Sequence, residues 1–400
     1  MDTAYIREEC RKMNEQLVAW RRHFHRIPEI GIDLPETVAA VRGFLQKLGV
    51  ELQPGYQGIG VLGLVRGESG QGGTVGIRAD MDALEIEEEH GREYGSAYPG
   101  RMHACGHDAH TAMALGAASF LAKHRREFSG TVKLIFQPGE ERMDGARHML
   151  EAGALDNPSV DMLLGLHIGG LWEELESGQV GISHQPVMAA ADSFNFIIQA
   201  PGAHGAAPHR SPDPVLATAS VITQLHTLVS REIDPVDTAV ITVGQISGGQ
   251  ARNIIPTEVS AKGTVRTLNE KVRSYLEKRI GEVVAHTAES FRCRHEYVFY
   301  REAAPVQSDP EIAELVAGCA RDLLGEDRVK QILRPSMAGD DVSLFLERVP
   351  GCFFALGASN PAKGIHSVHH SPVFDIDESV LWQGTAVFCL AALRWLQNAE

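Results

Sequence analysis

"DSFNFIIQA", residues 192–200, is the point at which the chain changes character. Its apolar residues alternate with polar ones, the period of a strand with one face in a core. The segments before it follow another rule. Strand-like runs at 60–66, 74–79, 131–136, 161–166 and 178–182 alternate with helix-like runs at 35–48, 108–124 and 144–152, after an amphipathic first helix over 4–24. Such alternation predicts an α/β layer with a largely parallel sheet. Beyond 200 come a helix from Pro214 to about Ser230, strands at 238–247 and 258–267, a helix near 270–291 and a strand at 294–302. That order predicts a compact α+β sandwich, with helices on one face of an antiparallel sheet. Helical pattern and one short apolar strand, "GCFFALG" (351–357), then resume. The economical fold is α/β. A mostly parallel-sheet domain of residues 1–188 and 303–400 carries an inserted α+β sandwich, residues 189–302.

Four hundred residues exceed one simple core, which agrees with two domains. The apolar share is 44% and the charged share 22%, ordinary for a soluble globular protein. A formal net charge of −15 argues against nucleic acid or an anionic membrane as the main partner. No stretch reaches the roughly 18 apolar residues of a membrane helix, and the charged N-terminal segment has no apolar signal core. The six cysteines are scattered without a CxxC pair, which fits a reduced, cytoplasmic protein. "GESGQGG" (67–73) reads as a turn and not as a phosphate loop, since no GK[ST] follows.

In open α/β sheets, ligands bind beyond the carboxyl ends of the strands. There the sequence places Asp80 and Asp82 after "TVGIR", Glu140 and Glu141 after "TVKLIFQPG", and His167 after "DMLLGL". Cys105 and His107 open the helix at 108. One histidine or carboxylate alone is usually solvated or hydrogen-bonded. A thiol, imidazoles and carboxylates delivered together by separate strand ends suit zinc, manganese or a related divalent ion. The Cys-x-His spacing is not the closed CxxC pairing of a structural zinc site. Glu140 and Glu141 are loop neighbours pointing in different directions. One can bind metal while the other faces a metal-bound water as general base. "GIHSVHHSPVFDIDES" adds His366, His369 and His370, any of which could close the site. His23 and His25 read as packing residues of the first helix, and His103 and His110 flank the site. Arg252 and Arg266 are candidates for a substrate carboxylate, which Arg binds bidentately.

With these residues the chain resembles the metal-dependent aminoacylase and carboxypeptidase-G superfamily of metallopeptidases. It is most similar to the amidohydrolase branch of hippurate hydrolases, auxin-conjugate hydrolases, N-acetyl-amino-acid deacetylases and p-aminobenzoyl-glutamate hydrolase subunits. The likeness runs through "RRHFHRIPEIG" (21–31), "IRADMDALEI" (77–86), "MHACGHDAHTA" (102–112), "FQPGEE" (136–141), "GLHIG" (165–169), "GAHGAAPH" (202–209), "RNIIP" (252–256) and "HHSPVFDIDE" (369–378). The resemblance implies two divalent metal ions per chain, zinc or manganese, with cobalt or nickel as further options. It implies Cys105, His107, Glu141, His167 and His370 as ligands, with Cys105 bridging. Glu140 would be the general base and Asp82 would support a ligand. Asp80 falls where wider relatives have a ligand histidine, which His107 would replace. The inserted domain would be a lid and dimerisation domain, making a homodimer or larger homo-oligomer. Its His204 would stabilise the oxyanion in the partner's site, and Asn253 would line the same cleft with Arg252. Asp340-Asp341-Val342 stands where the branch has Glu-Asp-Phe, so the resemblance does not fix the substrate.

The expected activity is hydrolysis of the amide bond in a small N-acyl amino acid or related conjugate, by Glu-assisted attack of a metal-bound water. Neither nucleic acid nor membrane is expected as a partner. Two rivals stand against it. In one, Cys105 is a covalent nucleophile paired with His107, although two residues apart on a turn is poor geometry for such a pair. In the other, the chain is a non-catalytic or partner-dependent subunit of a hetero-oligomeric hydrolase.

Overall fold

The structure is a computed structural model that describes residues 1–54, 59–89 and 91–398. The chain divides into two compact units. One is Met1–Val187 with Val306–Ser336 and Asp341–Glu400; the other is Met188–Pro305 with Met337–Asp340.

The larger unit is built on eight strands: β1 (Glu51–Leu52), β2 (Val61–Arg66), β3 (Thr74–Asp80), β4 (Thr131–Gln137), β5 (Met162–Gly169), β6 (Val180–Ile182), β13 (Val329–Gln331) and β14 (Gly351–Gly357). Their order is β1-β2-β4-β3-β5-β14-β6-β13. The central four, β4, β3, β5 and β14, are mutually parallel. Antiparallel pairing enters where β1 joins β2, β2 joins β4 and β14 joins β6. Every residue of β3, β4, β5 and β14 is buried, which is why these strands read as nearly continuous apolar runs.

Helix α4 (His107–Lys123) packs between α2 (Asn14–His25) and α10 (Leu381–Asn398). Its run of small residues has a steric reason: a Cβ on Gly116 would lie 2.5 Å from Leu17 Cδ2 and 2.8 Å from Thr385 Oγ1. Helix α10 is long and apolar enough to cross a membrane by length and composition, but 72% of its span is buried inside the fold. It is the central helix of this core, packed on α4, on α1 (Thr3–Lys12) and on α8 (Pro310–Leu324). The single first helix expected over 4–24 is two helices, α1 and α2, separated at Met13. Asn14 accounts for the break. Its side chain donates to Glu378 O (3.2 Å) and accepts from Trp382 N–H (3.1 Å), pinning the chain to the start of α10. Helix α3 (Pro35–Lys47) covers β1 and β2, and α5 (Gly145–Glu151) packs against α9 (Val342–Leu346).

The second unit holds an antiparallel sheet in the order β12-β7-β11-β9, with β7 (Ala190–Gln199), β9 (Ala239–Gly248), β11 (Glu258–Thr267) and β12 (Arg294–Ala303). Phe194, Phe196 and Ile198 of β7 face α6 (Pro214–Arg231) and α7 (Glu270–Ser290), where they meet Val221, Leu225, Leu276 and Ile280. A short ladder pairs β8 (Ala203–His204) with β10 (Ile254–Ile255). Met337–Asp340 groups with this unit, although the sequence reading put it in the larger domain. The reason is local: Ala189 N–H donates to Ala338 O (3.0 Å).

Candidate metal centre

The chain crosses over at β3. Strand β4 lies on one side of it and β5 on the other, which opens a crevice at their carboxyl ends. Asp80 closes β3, Gln137 closes β4, and His167 lies near the end of β5. The 3-10 turn Glu140–Arg142 follows β4 at once, and α4 begins at His107. Gly106 caps α4 with φ +91°, and a Cβ there would lie 2.8 Å from Ile168 Cγ2. Glycine therefore lets Cys105 and His107 turn into the crevice together.

Two of the imidazoles are fixed by their second nitrogen. His107 Nδ1–H donates to Asp82 O (2.9 Å), which leaves Nε2 as the nitrogen open to a proton or a metal ion. That Nε2 is buried without a hydrogen-bond partner, 3.8 Å from Asp80 Oδ2, 3.8 Å from Glu140 Oε2 and 3.9 Å from Glu141 Oε1. His167 Nδ1–H donates to Ile168 O (3.0 Å), which turns its Nε2 to Cys105 Sγ at 3.5 Å. His370 Nε2 lies 3.4 Å from Glu141 Oε2, while its own backbone N–H is held by Ala104 O (2.8 Å). The donor atoms of Cys105, His107 and His167 lie within 4.8 Å of one another, and so do those of Cys105, Glu141 and His370. The two groups share Cys105.

Asp82 sets the acidic side. Its Oδ1 accepts the Glu140 N–H (3.0 Å) and its Oδ2 the Glu141 N–H (3.1 Å), so one carboxylate fixes the turn that presents both glutamates. Electrostatics follow the geometry. Burial alone would lower the pKa of His107, but Asp80, Asp82 and Glu141 raise it to about 10. Burial and the neighbouring His110 and His369 hold His167 neutral, well below the usual histidine value. The pKa of Glu141 is lowered: burial opposes its charge, but His370 and His107 outweigh it. A buried imidazole nitrogen among carboxylates attracts a cation, proton or metal, and the thiol, imidazole and carboxylate donors fit a divalent metal.

Other histidines take other places. His110 is fully engaged, with Nδ1 on Asp80 Oδ1 (2.5 Å) and Nε2 accepting from Ile168 N–H (2.9 Å), so neither nitrogen is left for an ion. His103 is buried with both nitrogens unpaired, 6.3 Å ring to ring from His25, and burial drives its pKa to about 3. His369 donates from Nε2 to Ile168 O (3.1 Å), and His366 is exposed. His25 is buried on Asp108 (2.8 Å), and His23 packs edge-on to Phe44.

Sequence reasoning missed the layer beneath. Arg78 is 1% exposed and bonds Gln137 Oε1 (2.8 Å), Asp80 Oδ2 (2.7 Å) and Asp341 Oδ1 (3.1 Å). Asp341 also accepts from Gln137 Nε2 (2.7 Å) and Ala146 N–H (2.8 Å). Asp80 thus serves Arg78 and His110. The remaining sequence candidates belong to the second unit. His204 and Asn253 are neighbours there, with Gly205 N–H on Asn253 O (2.7 Å), and both are exposed, as is Arg252. Arg266 is half-buried and donates to the Asp192 and Val265 carbonyls (3.4 and 3.2 Å), which makes it a strand-bracing residue.

The profile of Peptidase family M20/M25/M40 matches residues 76–394. The chain is 36% identical to the N-acetyl-L-cysteine deacetylase of Bacillus subtilis, over 100% of this chain and 94% of that protein. It is 38% identical to an IAA-amino acid hydrolase of Arabidopsis thaliana, over 95% and 86%. Among solved structures it is similar to a dinuclear metal-binding peptidase of the M20 family from Bacillus subtilis, with TM-score 0.83 and 30% identity over 97% and 99% of the two chains. The profile takes in the whole cluster from Asp80 to His370, and the relatives align from end to end. The chain therefore belongs to Peptidase family M20/M25/M40.

Proposed function

We propose that this metal-dependent amidohydrolase cleaves the amide bond of N-acyl amino acids or related amino-acid conjugates. The names of two relatives, a deacetylase of N-acetyl-L-cysteine and a hydrolase of IAA-amino acids, support that substrate class. The observation that carries the reading is the shared thiol, with Cys105, His107 and His167 on one side and Cys105, Glu141 and His370 on the other. Each set would hold one ion, zinc or manganese, with cobalt or nickel also compatible. The ions would supply acidity to a water molecule and withdraw electrons from the acyl carbonyl.

The chain's own groups do the rest. Glu140 takes the proton of the attacking water and returns it to the leaving amine. Asp82 keeps Glu140 and Glu141 in their places through the two backbone bonds. His204 donates to the oxyanion from Nε2, since its Nδ1 accepts the Ala206 N–H (3.0 Å) and the ring proton is left on Nε2. It would act in the site of a second copy, in a homodimer formed through the Met188–Pro305 unit, with Asn253 and Arg252 contacting substrate. Six buried cysteines, none of them in a disulfide among the described residues, support a reducing workplace such as the cytoplasm.

Glu140→Gln tests the division of labour between the two glutamates. Metal content should stay at the wild-type level while kcat falls by roughly 10²–10⁴-fold, the usual worth of a positioned base. Near-wild-type turnover would overturn the assignment.

A further inference from the structure

We propose a second ligand site on the larger unit, a pocket for a phosphate-bearing small molecule. Its volume is about 480 Å³, within the range of small-molecule sites. None of its lining residues belongs to the metal centre. Three separate segments bring cations to it: Arg7 and Arg11 from α1, Arg328 from the turn after α8, and Lys363 from the loop beyond β14.

The carboxylate in the lining, Asp377, does not neutralise this set. It already accepts from Ser177 Oγ (3.0 Å), Asn360 Nδ2 (2.6 Å), Lys363 Nζ (2.8 Å) and the Ser379 hydroxyl (2.7 Å), so Lys363 alone is compensated. Arg7, Arg11 and Arg328 have no carboxylate partner among the described residues. The Arg328 guanidinium donates to the Ser177 carbonyl at 3.4 Å. Arg7 and Arg11 stand one turn apart on the same helix face, a like-charge spacing that is destabilising unless an anion relieves it. In a chain of net charge −15, three uncompensated guanidinium groups at one cavity are an imbalance that an external dianion would correct. Arginine forks match phosphate oxygens.

The rest of the lining points to an organic phosphate. Gln383 presents a buried amide oxygen with no hydrogen-bond partner, an acceptor for a ligand hydroxyl. Trp382 adds an apolar face beside it. The site therefore fits a phosphomonoester on a hydroxylated carrier.

Isothermal titration of the metal-loaded protein with inorganic phosphate and with glucose 6-phosphate tests this. Saturable binding is expected for the wild type. Arg7→Glu/Arg11→Glu should weaken it by at least about tenfold, with turnover in phosphate-free buffer unchanged. Should the double variant misfold, Arg328→Gln carries the same test with a smaller loss. Absence of saturable binding by both probes up to about 10 mM would overturn the proposal. So would undiminished binding in folded variants, which would place the phosphate on the metal ions.

Discussion

His107 shows at the residue scale why the proposed centre would select a cation. One nitrogen is held by the Asp82 carbonyl, and the other faces three carboxylates with nothing between. Without metal, Asp80, Asp82 and Glu141 favour the protonated imidazole, whose pKa is raised to about 10. Metal binding must displace the proton, so the apparent affinity should rise with pH between 6 and 9, by up to about tenfold per unit from this group. Titration calorimetry in buffers of different ionisation enthalpy should find about one proton released at this position. A pH-independent affinity would contradict the picture. Much of this cluster was legible in the sequence, because Cys105, His107, Glu140, Glu141 and His167 fall at strand ends or helix starts, whereas His370 lies in a turn and was singled out by the resemblance alone. His110 was not. The sequence placed it only as flanking the site, and its partners there, Asp80 and Ile168, lie far along the chain. Arg78 was hidden as well, since a charge inside a buried strand is explained by partners far along the chain, here Asp341.

At the scale of elements, the start of α4 sets the position of Cys105 and His107. Gly106 turns with φ +91° against Ile168, and Asp108 in the same first turn is clamped by Arg21 Nε (2.8 Å) and His25 Nδ1 (2.8 Å) of α2. Gly106→Ala should strain the backbone by about 1–3 kcal/mol and push the turn off Ile168. We expect a lower Tm together with weaker metal binding, because Cys105 and His107 flank the glycine. Thermal melts with and without added Mn²⁺ check this, and an unchanged metal affinity would separate the turn from the centre. The strands of the core were readable because burial on both faces leaves long apolar runs. The break between α1 and α2 was not, since Asn14 answers to Glu378 and Trp382, more than 360 residues away.

For the whole molecule, two units of different sheet type share one chain, and the change of period after residue 190 announced the second of them. The precise seam lay beyond sequence reasoning: Met337–Asp340 joins the second unit through contacts such as the Ala189 N–H to Ala338 O bond, which no local pattern records. In that unit, β9 is an edge strand and its Ile246 is 58% exposed. Such an edge invites pairing with another copy. Ile246→Asp should shift the sedimentation behaviour from dimer toward monomer and reduce turnover, because His204 is proposed to act across the pair. A monomeric wild type would remove that role. The central claim is that two ions and Glu140 make an amidohydrolase of this chain. Its most direct test is release of free amino acid from N-acetyl, N-benzoyl and indole-acetyl amino acids by purified protein stripped with chelator and then reloaded with Mn²⁺ or Zn²⁺. The account predicts no turnover after stripping and recovery as loading approaches about two ions per chain. Full turnover by the stripped protein, or none by the fully loaded one, would contradict it.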